Sequence, residues 1–300
     1  PLAGLASVWA AILHARRRFW AVSLAPACTP IAIVLALVLG DADVDLLAAA
    51  TVVGALVETI VLGLLVARTG LLAPARASLR DPDLREVLRG YAPLVAGAAV
   101  LGLVPVCDRA IAATVGNGAV ATLAYAGRLV DPLLATGATA IGTAMLPHAA
   151  RTLALGGRRE LRGVSLKLGA LVLAGSVPLV AVLVLASESI VRLLFARGAF
   201  TDADAIAVAE VQAVLALQIP IYLVGMIAAR VLAAFGRMRV LLVGNLAALG
   251  LTLLLDLTLV GPLGVRGIAV ATVVMRALTV GWLLVACLRA LHARASEGPR

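Results

Sequence analysis

Ile31-Ala32-Ile33-Val34-Leu35-Ala36-Leu37-Val38-Leu39 is apolar on every side. A strand of a membrane barrel would alternate polar and apolar residues with a period of two. This run does not, and neither does the stretch from Leu241 to Leu255. A helix that crosses the hydrocarbon core takes about 20 predominantly apolar residues. Outward from these two runs the chain supplies eight such stretches, at roughly 21–40, 46–67, 91–115, 119–146, 165–187, 205–232, 240–260 and 267–288. The expected fold is all-α: a polytopic membrane helical bundle of about eight transmembrane helices.

Composition points the same way. The chain has 300 residues, of which 63% are hydrophobic and only 14% charged, with a mean hydropathy of +1.10. A soluble domain is about a quarter charged and could not cover this much apolar surface. The net charge of +9 invites a nucleic-acid reading. Cytoplasmic loops of membrane proteins collect Arg and Lys for a different reason, so no nucleic-acid partner is expected. Cys28, Cys107 and Cys287 each lie within an apolar stretch without metal-ligand spacing. No metal and no cofactor is expected. Pro1 is not an initiator, so the chain is expected to be a fragment or a processed product. Arg16, Arg17 and Arg18 follow the first apolar residues instead of preceding them, which excludes a secretory signal.

The loops alternate in charge. Those at 14–20, 68–90, 147–163 and 235–240, and the tail after 288, are rich in arginine. Those at 41–45, 116–118, 188–204 and 261–266 are acidic, short or mixed. By the positive-inside rule, both ends of the chain are expected in the cytoplasm. The outer loop at 188–204 reads as a short amphipathic helix over Ser189–Phe195. A turn at Gly198 follows, then a helix capped by Thr201 with Asp202 and Asp204 in its first turn.

Charges inside a span are costly and usually face a cavity or a partner. Glu58, Arg128, Asp131 and Arg276 lie well inside; Asp108, Arg109, Asp256 and Arg230 lie nearer span ends. Tyr125, Arg128 and Asp131 are spaced by three and share a helix face. The turn at 116–118 brings Asp108 and Arg128 to similar depth on antiparallel helices, which suggests a pair. Asp108 and Asp131 admit two readings, as structural partners or as part of a binding site. Arg128 suits an anion, because a guanidinium near the midplane is a natural phosphate partner; Arg276 is a second anion candidate. Arg230 is expected to snorkel to the cytoplasmic face. Glu58 and Asp256 are candidate proton or ion sites, Glu58 having packing as its alternative. His14, His148 and His292 lie far apart, no nucleotide-type phosphate loop occurs, and no catalytic constellation forms. The protein is not expected to be an enzyme.

Two stretches carry a resemblance. One is Asp108-Arg109-Ala110-Ile111-Ala112, followed by Leu123-Ala124-Tyr125-Ala126-Gly127-Arg128-Leu129 and Ala140-Ile141-Gly142-Thr143-Ala144-Met145-Leu146-Pro147. The other is Ile190-Val191-Arg192-Leu193-Leu194-Phe195-Ala196-Arg197-Gly198-Ala199-Phe200-Thr201. Together they resemble the MurJ/MviN lipid II flippases of the multidrug/oligosaccharidyl-lipid/polysaccharide exporter superfamily. The resemblance covers nearly the whole chain.

It implies a two-lobe exporter fold around a cationic cavity. It also implies translocation of the lipid-linked peptidoglycan precursor from the inner to the outer leaflet of the bacterial cytoplasmic membrane by alternating access. Arg128 matches the family's cavity arginine and Asp108 its preceding aspartate. With the candidates read from the spans themselves, the expected substrate contacts are Arg128, Arg276, Asp108, Asp131 and Tyr125. The implied partners are a lipid-linked pyrophosphate saccharide, membrane lipids and, as a candidate, the cell-wall synthesis machinery. By motif register, residues 1–90 would end a first lobe and reach the linker, and 91–300 would form the second lobe of six spans. The chain departs from the family pattern at Gly127, where Asp is common, and at Ala233-Ala234, Arg237 and Val240. Three alternatives stand beside the flippase: a related lipid-linked oligosaccharide exporter, a cation-coupled drug exporter, and a non-transporting membrane scaffold.

Overall fold

The computed structural model describes residues 2–16, 19–40, 44–69, 82–116, 118–155, 157–198 and 200–292. Asp41, Asp43, the basic stretch 70–81, Asn117 and the arginines beyond His292 lie outside the described residues. Every described element is helical. Eight of the segments are long and apolar enough to cross a membrane, so the chain is a polytopic helical membrane protein.

The first compact unit is Pro1–Asp81. It holds α1 (Leu2–Ala15), α2 (Phe19–Leu24), a 3-10 turn over Ala25–Ala27, α3 (Cys28–Leu39) and α4 (Val44–Ala67). Pro26 occupies the first turn of that 3-10 segment, where its missing N–H costs nothing. α4 packs on both α1 and α3, around a small core of Leu13, Leu62 and Val66.

The second unit is Pro82–Arg300. Its helices are α5 (Pro82–Val115), α6 (Ala119–Ala154), α7 (Arg158–Leu185), α8 (Ser187–Phe195), α9 (Asp202–Ala216), α10 (Gln218–Ala234), α11 (Met238–Leu263) and α12 (Val265–His292). The span made by α9 and α10 is 50% buried inside the protein, against 17–33% for the other spans of this unit. It is therefore the core element, and α6, α7 and α12 pack around it while α5 docks on α11. Small residues permit the closest approaches. Gly225 on α10 leaves no room for a Cβ against the side chain of Val280 on α12. Lipid supplies no hydrophobic drive between helices, so such close backbone contact is what holds them together.

Two boundaries differ from the sequence expectation. α6 runs through Pro147 to Ala154. A proline removes one helical hydrogen bond, whereas ending the helix there would leave several carbonyls unpaired in apolar surroundings. The span expected as one helix at 205–232 is broken at Leu217. Pro220 cannot donate to the Ala216 carbonyl, and the Leu217 N–H turns back to Val214 O at 3.1 Å instead.

The segment 188–204 follows the expected helix, turn and cap. α8 is a helix with Val191 buried and Leu193 75% exposed. Arg192 bridges Glu188 and Asp202 at 2.8 Å each. Gly198 takes φ +65°, and Thr201 and Asp204 form a reciprocal capping box at the start of α9.

Candidate functional site

One face of α6 builds the core and another builds a cavity. Ala126, Val130, Ile141, Met145 and Ala149 are buried in the packing. Ala124, Gly127, Arg128, Asp131, Pro132 and Ala135 line the cavity instead. Both sets recur at helical spacing, so a single helix separates a packed stripe from a polar one.

The cavity has a volume of about 700 Å³ and lies wholly within the second unit. α5 contributes Asp108 and Arg109, α6 contributes Arg128 and Asp131, and α12 contributes Thr272 and Arg276. Leu215 and Gln218 enter from either side of the break at Leu217. The structure thus gathers Asp108, Arg128, Asp131 and Arg276 around one space. Tyr125 holds Arg128 from behind: the guanidinium lies 4.7 Å from the ring centre. Tyr125 is itself fixed edge-on by Phe195 and Phe200, at 5.1 and 5.4 Å between ring centres. The end of α8 and the segment after it therefore brace an arginine of the cavity wall.

Arg276 has a matching arrangement. Its guanidinium lies 4.7 Å from the ring centre of Tyr222, and its Nε is buried without a hydrogen-bond partner. An unpartnered, buried guanidinium nitrogen leaves donor capacity for an incoming anion.

The expected Asp108–Arg128 ion pair does not form. The ion pairs among the described residues are Arg192 with Glu188 and Asp202, and Arg266 with Glu210. Asp108 lies in the neighbourhood of Asp256 on α11, Arg276 and Arg109. Equal depth on neighbouring helices did not mean facing sides. Asp256 is 0% exposed, and both of its carboxyl oxygens lack an ordinary hydrogen-bond donor. Thr252, one turn earlier on the same face, is also 0% exposed with its hydroxyl unpartnered. A buried carboxyl without a donor carries a desolvation cost.

Arg230 packs against α6. Its guanidinium lies against Gly142 of α6, where a Cβ would come within 3.0 Å of Nη2, and its Nε is buried and unpartnered. Glu58 is half-buried on α4 and belongs to the first unit, not to this cavity. Sequence reading missed Gln218, which is 3% exposed with its amide oxygen unpartnered. The nearby Pro220 was its signal, since a proline breaks a span and exposes polar groups there. Tyr222 and Thr252 were also missed, because nothing in spacing alone marks a stacking partner or an empty hydroxyl.

At Gly127 the structure explains a departure from the family pattern. The Asp131 carboxylate folds back over this glycine, so a Cβ there would lie 2.9 Å from Oδ2. A carboxylate one turn later occupies the space that a side chain at 127 would take.

The family described as "Lipid II flippase MurJ" matches residues 1–298. A probable lipid II flippase MurJ of Rhizobium meliloti (strain 1021) is 29% identical over 216 residues, covering 70% of this chain and 39% of that protein. A probable lipid II flippase MurJ of Rickettsia prowazekii (strain Madrid E) is 22% identical over 274 residues, covering 89% of this chain and 53% of that protein. The chain thus spans about half the length or less of these curated relatives. A solved lipid II flippase MurJ in an inward closed conformation shares the fold, with a TM-score of 0.76 and 18% identity over 95% of this chain and 60% of that one. The family match runs from the first residue almost to the last: this chain belongs to the lipid II flippase MurJ family.

Proposed function

We propose that the protein carries lipid II, a lipid-linked pyrophosphate saccharide, from the inner to the outer leaflet of the bacterial cytoplasmic membrane by alternating access. One observation carries the reading: Arg128 and Arg276 line a single cavity, each backed by a tyrosine ring. Guanidinium groups bind phosphate oxygens with charge-assisted, often bidentate hydrogen bonds. The neighbouring tyrosines hold the cations in place, and Asp108 and Asp131 temper the positive charge so that the substrate can also leave.

The orientation proposed from the loop charges puts both ends of the chain in the cytoplasm. Residues 91–300 then act as the second lobe of the transporter, and residues 1–90 as the end of the first and the linker. Asp256 with Asp108 forms a proton or monovalent-cation site, and Glu58 is a separate candidate in the first unit. The membrane potential contributes about 2.3 kcal/mol per charge per 100 mV. Transport by this scheme makes and breaks no covalent bond, so the protein acts as a carrier and not as an enzyme. Its partners are the lipid-linked substrate, the surrounding lipids and the cell-wall synthesis machinery that receives the product. A cation-coupled drug exporter fits less well, because cationic drugs would meet Arg128 and Arg276 with like charge.

The test is translocation. With the protein expressed in cells depleted of their own lipid II flippase, Arg128→Ala is expected to abolish delivery of lipid II to the outer leaflet while membrane insertion is unchanged. Normal delivery by that variant contradicts the assignment.

A further inference from the structure

Gln218 is an uncharged polar side chain in the wall of the charged cavity. It is 3% exposed, and its amide oxygen accepts no hydrogen bond. A buried acceptor left unpaired is costly, and a folded protein keeps few of them. Gln212 on α9 also has an unpaired amide oxygen, but it has a structural task. Its Nε2 donates to Leu183 O at 3.3 Å and ties α9 to the end of α7. It does not line this cavity. No such task falls to the oxygen of Gln218. Pro220 leaves the Ala216 carbonyl without its usual helical donor, and an amide oxygen, itself an acceptor, cannot replace that donor.

The rest of the wall is chemically lopsided. Arg109, Arg128 and Arg276 are donors, and Asp108 and Asp131 are carboxyl acceptors. Among the described residues, Gln218 and Thr272 are the uncharged polar side chains on this wall. Thr272 spends its hydroxyl hydrogen on Ile268 O at 2.9 Å, within its own helix. The Gln218 amide turns about a broad terminal torsion, so its oxygen can swing toward the cavity without any backbone movement. An ionised pyrophosphate has lone pairs and no hydrogen to give. The arginines suit it; an amide oxygen does not. That oxygen needs an O–H or N–H. In a lipid-linked pyrophosphate saccharide those hydrogens sit on the headgroup.

We propose that Gln218 is a specificity residue: its amide oxygen accepts a hydrogen bond from a hydroxyl or amide N–H of the headgroup, and so tells a loaded lipid pyrophosphate from the same lipid without its saccharide. The proposal rests on the flippase reading and adds to it a discrimination that the arginines cannot make. Removal of the saccharide leaves a molecule with the same chain and the same pyrophosphate. Arg128 and Arg276 would hold both forms. A buried group that is unpaired until the right partner arrives separates them, because the form without the headgroup leaves it unpaired still. The saccharide-free lipid then competes poorly for the cavity.

The experiment measures the affinities of lipid II and of the same polyprenyl pyrophosphate without saccharide for this chain in nanodiscs. The readout is their ratio. Gln218→Met keeps the length of the side chain and removes the amide; Gln218→Glu keeps an acceptor oxygen. The charge of the glutamate acts on the pyrophosphate common to both ligands and largely cancels in the ratio. The unaltered chain is expected to prefer lipid II. Gln218→Met is expected to lower that preference roughly three- to tenfold. Its affinity for the saccharide-free lipid should stay within about twofold, which also shows that the variant is folded. Gln218→Glu is expected to keep the preference within about twofold. An unchanged preference in Gln218→Met, or an equal weakening of both ligands, overturns the proposal and leaves the anion site standing. So does a preference lost equally in both variants, which would make the amide a donor. If neither ligand binds the unaltered chain, the flippase reading falls and the proposal with it.

Discussion

Arg276 of α12 stacks on Tyr222 of α10, 4.7 Å from the ring centre, and lines both the charged cavity and an apolar pocket beside it. The stack couples the core helix to the helix that carries the second cavity arginine. A desolvated cation–π contact contributes about 2 kcal/mol. Tyr222→Leu is therefore expected to weaken pyrophosphate binding by roughly tenfold, while Tyr222→Phe, which keeps the ring, stays within about threefold. Calorimetry on the two variants checks this, and equal losses would assign the effect to the hydroxyl instead of the ring.

The brace behind Arg128 makes a separate prediction. Tyr125 touches Phe195 and Phe200 of the segment 188–204, so this loop acts on the cavity through the ring. Phe200→Ala removes one of the two edge contacts, each worth about 0.5–1.5 kcal/mol beyond its buried area. Its expected effect is a several-fold loss of lipid II delivery with surface expression retained. Unchanged delivery would mean that Arg128 holds its position without the loop.

The cap and the ion pairs of that loop should differ in weight. Arg192, Glu188 and Asp202 are exposed at the side chain, by 42%, 55% and 81%, and such pairs contribute about 0–1 kcal/mol. The Thr201–Asp204 capping box satisfies backbone donors that have no other partner. Thr201→Ala is expected to cost about 1 kcal/mol, and Arg192→Ala less. Thermal unfolding of the two variants in the same detergent orders them.

Topology is checked by labelling. In a background where Cys28, Cys107 and Cys287 are replaced, Asn117→Cys is expected to react with an impermeant thiol reagent added outside intact cells, and Arg158→Cys is not. The reverse pattern would invert the orientation drawn from the loop charges.

Gly127 offers a structural test of the departure at that position. Asp131 Oδ2 would lie 2.9 Å from a Cβ there. The far end of Asp131 can rotate away, so Gly127→Ala is expected to fold but to move this carboxylate from its place. Gly127→Asp should be tolerated better with Asp131→Ala than alone. Equal expression of Gly127→Asp with and without that change would remove the steric explanation.

The membrane fold was legible in the sequence because eight apolar runs leave a chain no other way to bury its surface. Helix ends were less legible: Pro147 sits inside α6 because lipid penalises unpaired carbonyls more than one missing hydrogen bond. Within the site, residues that share a helix were read correctly as neighbours. Tyr125 and Arg128 stack because a spacing of three dictates it. Contacts between helices were not readable this way. Asp108 makes no ion pair with Arg128, since the rotation of each helix is set by its packing and not by depth alone. The break at Leu217 was signalled by Pro220, but the buried Gln218 beside it became significant only once the cavity was seen.

The central claim is that Arg128 and Arg276 hold the pyrophosphate of lipid II. Its most direct test is the affinity of lipid II for this chain in nanodiscs, measured for the unaltered chain, Arg128→Ala, Arg276→Ala and the double variant. Each single change removes a charge-assisted contact of about 1.5–3 kcal/mol, a loss of roughly ten- to a hundred-fold, and the double variant is expected to bind no more tightly than the weaker single variant. Lipid II bound with the same affinity by all four proteins would contradict the account.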